Sequence, residues 1–178
     1  MSIIISLVFA AQLQTVCVLG SDTSFYNAYS DQRPTADAMQ LAGQVNAALV
    51  AMCRPNCPTV SLFRNASAPN TMLIASPEQV KIVYKPEFFT AVYEALGDAG
   101  ILAILAHEVG HSVDAARPAP WMKSSWSAEL RADAWAGCAL ARMNLTPAAR
   151  SAALQALSRY PSPAHPAFSC FEIHESCR

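Results

Sequence analysis

A short apolar run, Ile101–Ala106, leads without a break into His107-Glu108-Val109-Gly110-His111. On a helix, His107 and His111 stand about 40° apart on one face and one turn apart. Glu108 lies about 60° round from His111. Ile101, Leu102, Leu105, Val109 and Val113 form the opposite face, while Gly100, Ala103 and Asp114 share the histidine side. Such a helix needs other elements to cover its aliphatic side, and its small residues leave room beside the imidazoles. Two imidazoles at this spacing can share one zinc ion at about 2.0–2.1 Å, with the intervening glutamate reaching the attacking water rather than the metal.

A catalytic zinc takes a third protein ligand and keeps one position open. One way to supply that ligand continues the helix motif as Gly-x-x-His, but Asp114 and Arg117 occupy those positions here. The other is a carboxylate on a following helix. Glu129-Leu130-Arg131-Ala132-Asp133 offers it, with Glu129 and Asp133 on one stripe. Glu129 is then the third ligand, and Asp133 the acceptor that orients a ligand imidazole through its outer ring nitrogen. Standing alone, the same two acids would read as a solvated helix face. Cys138 falls about 180° from Glu129, which turns it away from the metal and toward a disulfide or the core. Asp114 reads as a surface acid.

The remaining pattern predicts an α+β domain. Thr35–Met52 carries Leu41, Val45, Ala48, Leu49 and Met52 on one helical face, and Pro55 and Pro58 end it. Thr59–Phe63, Thr71–Ala75 and Val80–Tyr84 read as strands, the last half-buried through Val80, Ile82 and Tyr84. Pro86 opens a helix with Phe89, Val92, Tyr93 and Leu96 as its apolar face. Gly97 suits its C-cap and Asp98 the next N-cap, and that next helix runs to about Arg117. Ser125 or Ser127 caps a further helix to about Met143, and Thr146-Pro147 starts the last, ending near Tyr160. A short sheet packed on the histidine helix and a following ligand helix is the predicted layout.

The chain has 178 residues, a formal charge of −1 and 14% charged residues. That suits one domain and leaves no basic footprint for nucleic acid. No uninterrupted apolar run approaches the roughly 18–20 residues of a membrane span, so no transmembrane segment is predicted. Ile3–Phe9 is a short apolar block, and Val8-Phe9-Ala10 at its end resembles the small-residue site of a signal peptide, making 1–11 a leader or its remnant and 12–178 the mature domain. The six cysteines fit three disulfides in an exported protein, periplasmic or secreted. Cys170–Cys177 is the favoured pair, because it would pin a tail with little core of its own.

Together the two motifs resemble the gluzincin metallopeptidases. The surrounding sequence is similar to small bacterial relatives of the CAAX prenyl protease and HtpX family, over roughly Thr59 to Pro166. The likeness includes Pro69-Asn70-Thr71-Met72, Lys81-Ile82-Val83-Tyr84, Ile104-Leu105-Ala106 before His107, Trp135-Ala136-Gly137 after Asp133, and His165-Pro166. It implies a zincin-like fold in which His107, His111 and Glu129 bind zinc and Glu108 is the catalytic base. It also implies that His165 lies near the substrate and stabilises the oxyanion. The Arg that usually follows the late His-Pro is missing, since Arg178 is the only Arg of the tail.

The function that follows is a zinc-dependent endopeptidase acting on a peptide or protein substrate, held extended along a sheet edge for which Thr71–Ala75 is the candidate. Two other readings share the motif: an exported, disulfide-stapled zinc protein without activity, and a zinc hydrolase of a non-peptide bond. Nothing in the sequence sets an oligomeric state.

Overall fold

The computed structural model describes residues 16–18, 26–53, 57–75, 79–116 and 127–159. Strand β1 spans Val16–Val18, and a 3-10 turn, Ala28–Ser30, leads to helix α1, Ala36–Cys53. Strands β2 (Val60–Arg64), β3 (Thr71–Ala75) and β4 (Val80–Tyr84) follow, then helices α2 (Pro86–Ala116), α3 (Ala128–Arg142) and α4 (Pro147–Arg159). The fold is α+β. The leader residues 1–11 and the pair Cys170–Cys177 lie outside the described residues.

Side-chain oxygens set the helix starts. Thr35 Oγ1 accepts from Ala38 N–H at 3.2 Å, Ser127 Oγ from Leu130 N–H at 3.3 Å, and Thr146 Oγ1 from Ala149 N–H at 3.2 Å. Each satisfies a first-turn N–H that the helix cannot. Gly97 divides α2: its φ of +63° and ψ of −161° end one helical segment and start another. The second segment is buried all round from Ala99 to Asp114 except at Val109, so it is the central rod of the domain.

The sheet order is β1-β3-β4-β2, with β2 parallel to β4 and the other pairs antiparallel. Leu73, Ile82 and Tyr84 face the main core with α1 and α2. Met72 and Val83 turn to the other face and bury against Ala68, with Tyr26, Phe63 and Ile74 partly covering them. That second core depends on a polar anchor. Asn65, buried in the β2–β3 turn, donates from Nδ2 to Asn27 O at 2.8 Å and to Asp31 Oδ1 at 2.7 Å. Lys81 pairs with the same Asp31, and Tyr26 Oη donates to it. The segment before α1 is thereby strapped across the sheet.

Several sequence-based expectations change. β1 is an added strand, and it pairs Val16–Val18 with Met72–Ile74. Thr71–Ala75 is therefore an interior strand and not the sheet edge. Val83 is fully buried where a half-buried strand predicts exposure, because the second cluster covers that face. Tyr93 is 57% exposed, and Phe88 takes its place in the core. By length and composition α2 is long and apolar enough to cross a membrane, with a mean hydropathy of 1.5 over its best window. Just over half of that window is buried inside the protein. No single unbroken apolar run reveals it, because small and polar residues are interspersed.

Gly97 occupies a conformation open essentially to glycine alone, and a Cβ there meets nothing within 4 Å. The cost of Gly97→Ala is thus purely backbone, about 1–3 kcal/mol. Urea denaturation should show a lower midpoint with an unchanged slope.

Candidate metal centre

The close approach of α3 to α2 builds the site. An added Cβ on Gly110 would sit 2.6 Å from Ala132 O and 3.1 Å from Trp135 Cβ. Only glycine tolerates that contact, and it lets the first turns of α3 lie against the histidine face of α2. Ser127 starts α3 just early enough to put Glu129 in the first turn and Asp133 one turn on.

Three side chains meet there. His107 Nε2 and His111 Nε2 are 3.0 Å apart, and Glu129 Oε2 is 3.3 Å from the first and 3.4 Å from the second. This His-His-Glu group could hold a metal ion. His107 Nδ1 lies 2.8 Å from Asp133 Oδ1. An ionised carboxylate only accepts, so Nδ1 carries the proton and donates it. That fixes the ring and turns Nε2 toward Glu129 and His111. His107 and Glu108 are fully buried, and His111 and Asp133 nearly so.

The electrostatics call for positive charge. Burial alone would lower the pKa of His107. Hydrogen bonds to Asp133 and Glu129, with the charges of Glu108 and Asp133, outweigh it and push the imidazole up to about 10. A group of buried carboxylates around two imidazoles is relieved by a proton on His107 or by a cation between the ligands.

Asp114 is not a surface acid. It is 7% exposed, and its Oδ2 accepts from Arg131 Nε at 2.7 Å, tying the last turns of the central helix to α3. The partner, Arg131, was hidden inside the Glu129–Asp133 stretch; its i+2 offset from Glu129 gives no pairing signal across helices. Cys138 is buried and disulfide-bonded, and Cys53 is bonded to Cys57. A four-residue separation at the end of a helix gave no reason to prefer that pair. His165 lies outside the described residues. Comparisons with protein-family models, curated proteins and solved structures find no match.

Two measurements test this geometry. In Gly110→Ala, the better helix propensity of alanine, at most about 1 kcal/mol, opposes the overpacking, about 1–3 kcal/mol. The backbone oxygen cannot swing aside, so overpacking wins. Both thermal stability and metal affinity should fall, since α3 carries Glu129 away. The second measurement concerns protons. A folded pKa raised from 6.5 to about 10 gives stability that is complete below pH 6.5 and lost as pH rises through about 10. The metal-free protein should weaken across that window. Metal uptake at pH 7 should expel about one proton, read by calorimetry in buffers of different ionisation enthalpy. A heat independent of buffer would contradict this account.

Proposed function

We propose that the chain is a zinc-dependent endopeptidase of gluzincin type, exported to an oxidising compartment. The observation that carries the reading is the convergence of His107, His111 and Glu129 beside Glu108. Ligand atoms at about 2.0–2.1 Å from a tetrahedral centre stand about 3.3–3.4 Å apart. The triangle here has sides of 3.0, 3.3 and 3.4 Å. The donor set, two imidazoles and one carboxylate, suits zinc with one position left open. Asp133 supports it by fixing the His107 tautomer.

Zinc, when bound, makes water a nucleophile near neutral pH and polarises a carbonyl. The chain supplies the rest. Glu108 sits next to His107 on the same helix, buried, where its carboxylate takes a proton from the attacking water and returns it to the leaving amine. A purely structural metal site has no use for that base. His111 and Glu129 hold their positions because α2 and α3 are packed elements and not loops. The disulfides at Cys53–Cys57 and at Cys138 support export, since such bonds persist in oxidising compartments.

The test is metal content together with casein and peptide-library hydrolysis, on wild type and Glu108→Gln. Wild type should hold zinc and cleave. The amide is nearly isosteric but cannot accept the proton, so Glu108→Gln should keep zinc and lose about 10²-fold or more in rate. A fully active variant rules out this mechanism, and an inert zinc-loaded wild type rules out the peptidase reading.

A further inference from the structure

Nearly three turns up α2 from the histidines, at the Gly97 kink, the fold encloses a second feature. A cavity of about 510 Å³ opens between the N-terminus of α1, the kink, and the ends of β2 and β4. Arg64 and Tyr84 are the last residues of these two parallel strands and stand in register. The carboxyl ends of parallel strands, beside the start of the next helix, are a common place for ligands in sheets of this kind.

Arg64 makes this more than a surface dent. Its Nε is buried and has no hydrogen-bond partner. Among the described residues no carboxylate pairs with its guanidinium. A buried charged donor without an acceptor is costly, and native structures rarely carry one without a reason. The main chain of Arg64 is fixed by paired bonds with Gln32, N–H to O at 3.0 Å and O to N–H at 2.9 Å. Tyr84 beside it is held by Thr35 N–H at 3.3 Å and by stacking on Phe89, with centroids 4.0 Å apart. Leu41, Phe89 and Ile101 contribute apolar surface to the lining.

Asp37 and Asp98 also line the cavity, but both are exposed at its rim. Water screens charges there, whereas Arg64 is half-buried with its Nε fully enclosed, so its charge is screened less. Each acid also sits at a helix start, where the helix dipole offsets it. Arg64 therefore decides the polarity of the floor.

We propose that this cavity binds a small organic carboxylate, gripped by the guanidinium of Arg64 with its apolar body against Leu41, Phe89 and Ile101. The paired terminal N–H donors of a guanidinium form a fork that matches a carboxylate. The site stands whether or not the metal centre is a peptidase.

The test is calorimetric titration of the full-length, zinc-loaded protein with 3-phenylpropionate, its amide and inorganic phosphate. The acid should bind saturably, and the amide at least about tenfold more weakly, the usual scale for losing a charged hydrogen bond. Arg64→Met should weaken the acid by a similar factor, and Arg64→Lys by less, since one ammonium cannot supply the fork. Thr90→Trp, at the exposed mouth, should block binding without touching the guanidinium or the fold. An N-acetyl dipeptide ending in Phe, with a free or amidated C-terminus, separates the two sources of this chemistry. Tighter binding of the free peptide acid than of 3-phenylpropionate assigns the site to a peptide C-terminus, and weaker binding to a free small acid. No saturable binding, equal binding of the amide, or tighter binding of phosphate overturns the proposal. So does an affinity unchanged in both Arg64→Lys and Thr90→Trp, which would place the acid at the zinc.

Discussion

The candidate metal centre depends on one steric fact, the distance between Gly110 and the Ala132 carbonyl. A methyl group at 110 would collide with a backbone atom at 2.6 Å. Its absence lets α3 lie against the one stripe of α2 that carries both histidines. Glu129 and Asp133 are one turn apart, as are His107 and His111. Two i, i+4 pairs on adjacent helices can then interlock, one acid meeting both Nε2 atoms and the other meeting Nδ1. Arg131, between the two acids, reaches Asp114 and fastens the helices beyond the site.

Rigid support for that contact comes from small residues used as spacers. Ala99, Ala103, Ala106, Ala132, Ala136, Ala139, Ala153 and Ala156 are all buried, and they lie on α2, α3 and α4, which pack on one another. Helices can approach to about 8 Å only when such residues line the contact. The high apolar fraction of the chain is therefore largely close helix packing. Bulky side chains from α1, the sheet and α2, among them Leu49, Phe89, Ile104 and Tyr84, belong to the same main core. A packed, inextensible interior is what holds ligand atoms within tenths of an ångström of one another.

Much of this was legible in the sequence, because the signals were local. Helix starts at Thr35 and Thr146, one at Ser125 or Ser127, the break at Gly97, and strands at 71–75 and 80–84 follow from caps, backbone freedom and period-2 patterns. The histidine pair and the two acids are likewise i, i+4 signals within single helices. What was not legible is long-range. β1 is three residues whose pairing with β3 no local pattern encodes, and it alone turns Thr71–Ala75 from an edge into an interior strand. Val83 looked exposed because nothing local announces a second core on the far face. Asp114 looked like a surface acid because its partner is seventeen residues away on another helix. Tyr93 and Phe88 exchanged roles for a smaller reason: four aromatic or aliphatic positions on one short helix allow two apolar stripes, and the neighbouring stack of Tyr84 on Phe89 selects one.

Charge explains why these particular residues belong together. Glu108, Asp133 and Glu129 bring three carboxylates into a largely buried space against the imidazoles of His107 and His111. Burying such a set without compensation would cost several kcal/mol per ion. Part of the answer is a single proton, since His107 is held protonated up to about pH 10. One positive charge offsets one carboxylate and leaves the remainder to be balanced. A divalent cation between the same ligand atoms offsets two, and it does so at the point where His107, His111 and Glu129 all aim. Proton and metal therefore compete for one electrostatic demand, and the ion with more charge satisfies it better. Glu108, the third buried carboxylate, follows His107 directly on the same helix, so it shares this demand for positive charge whatever chemistry the site performs.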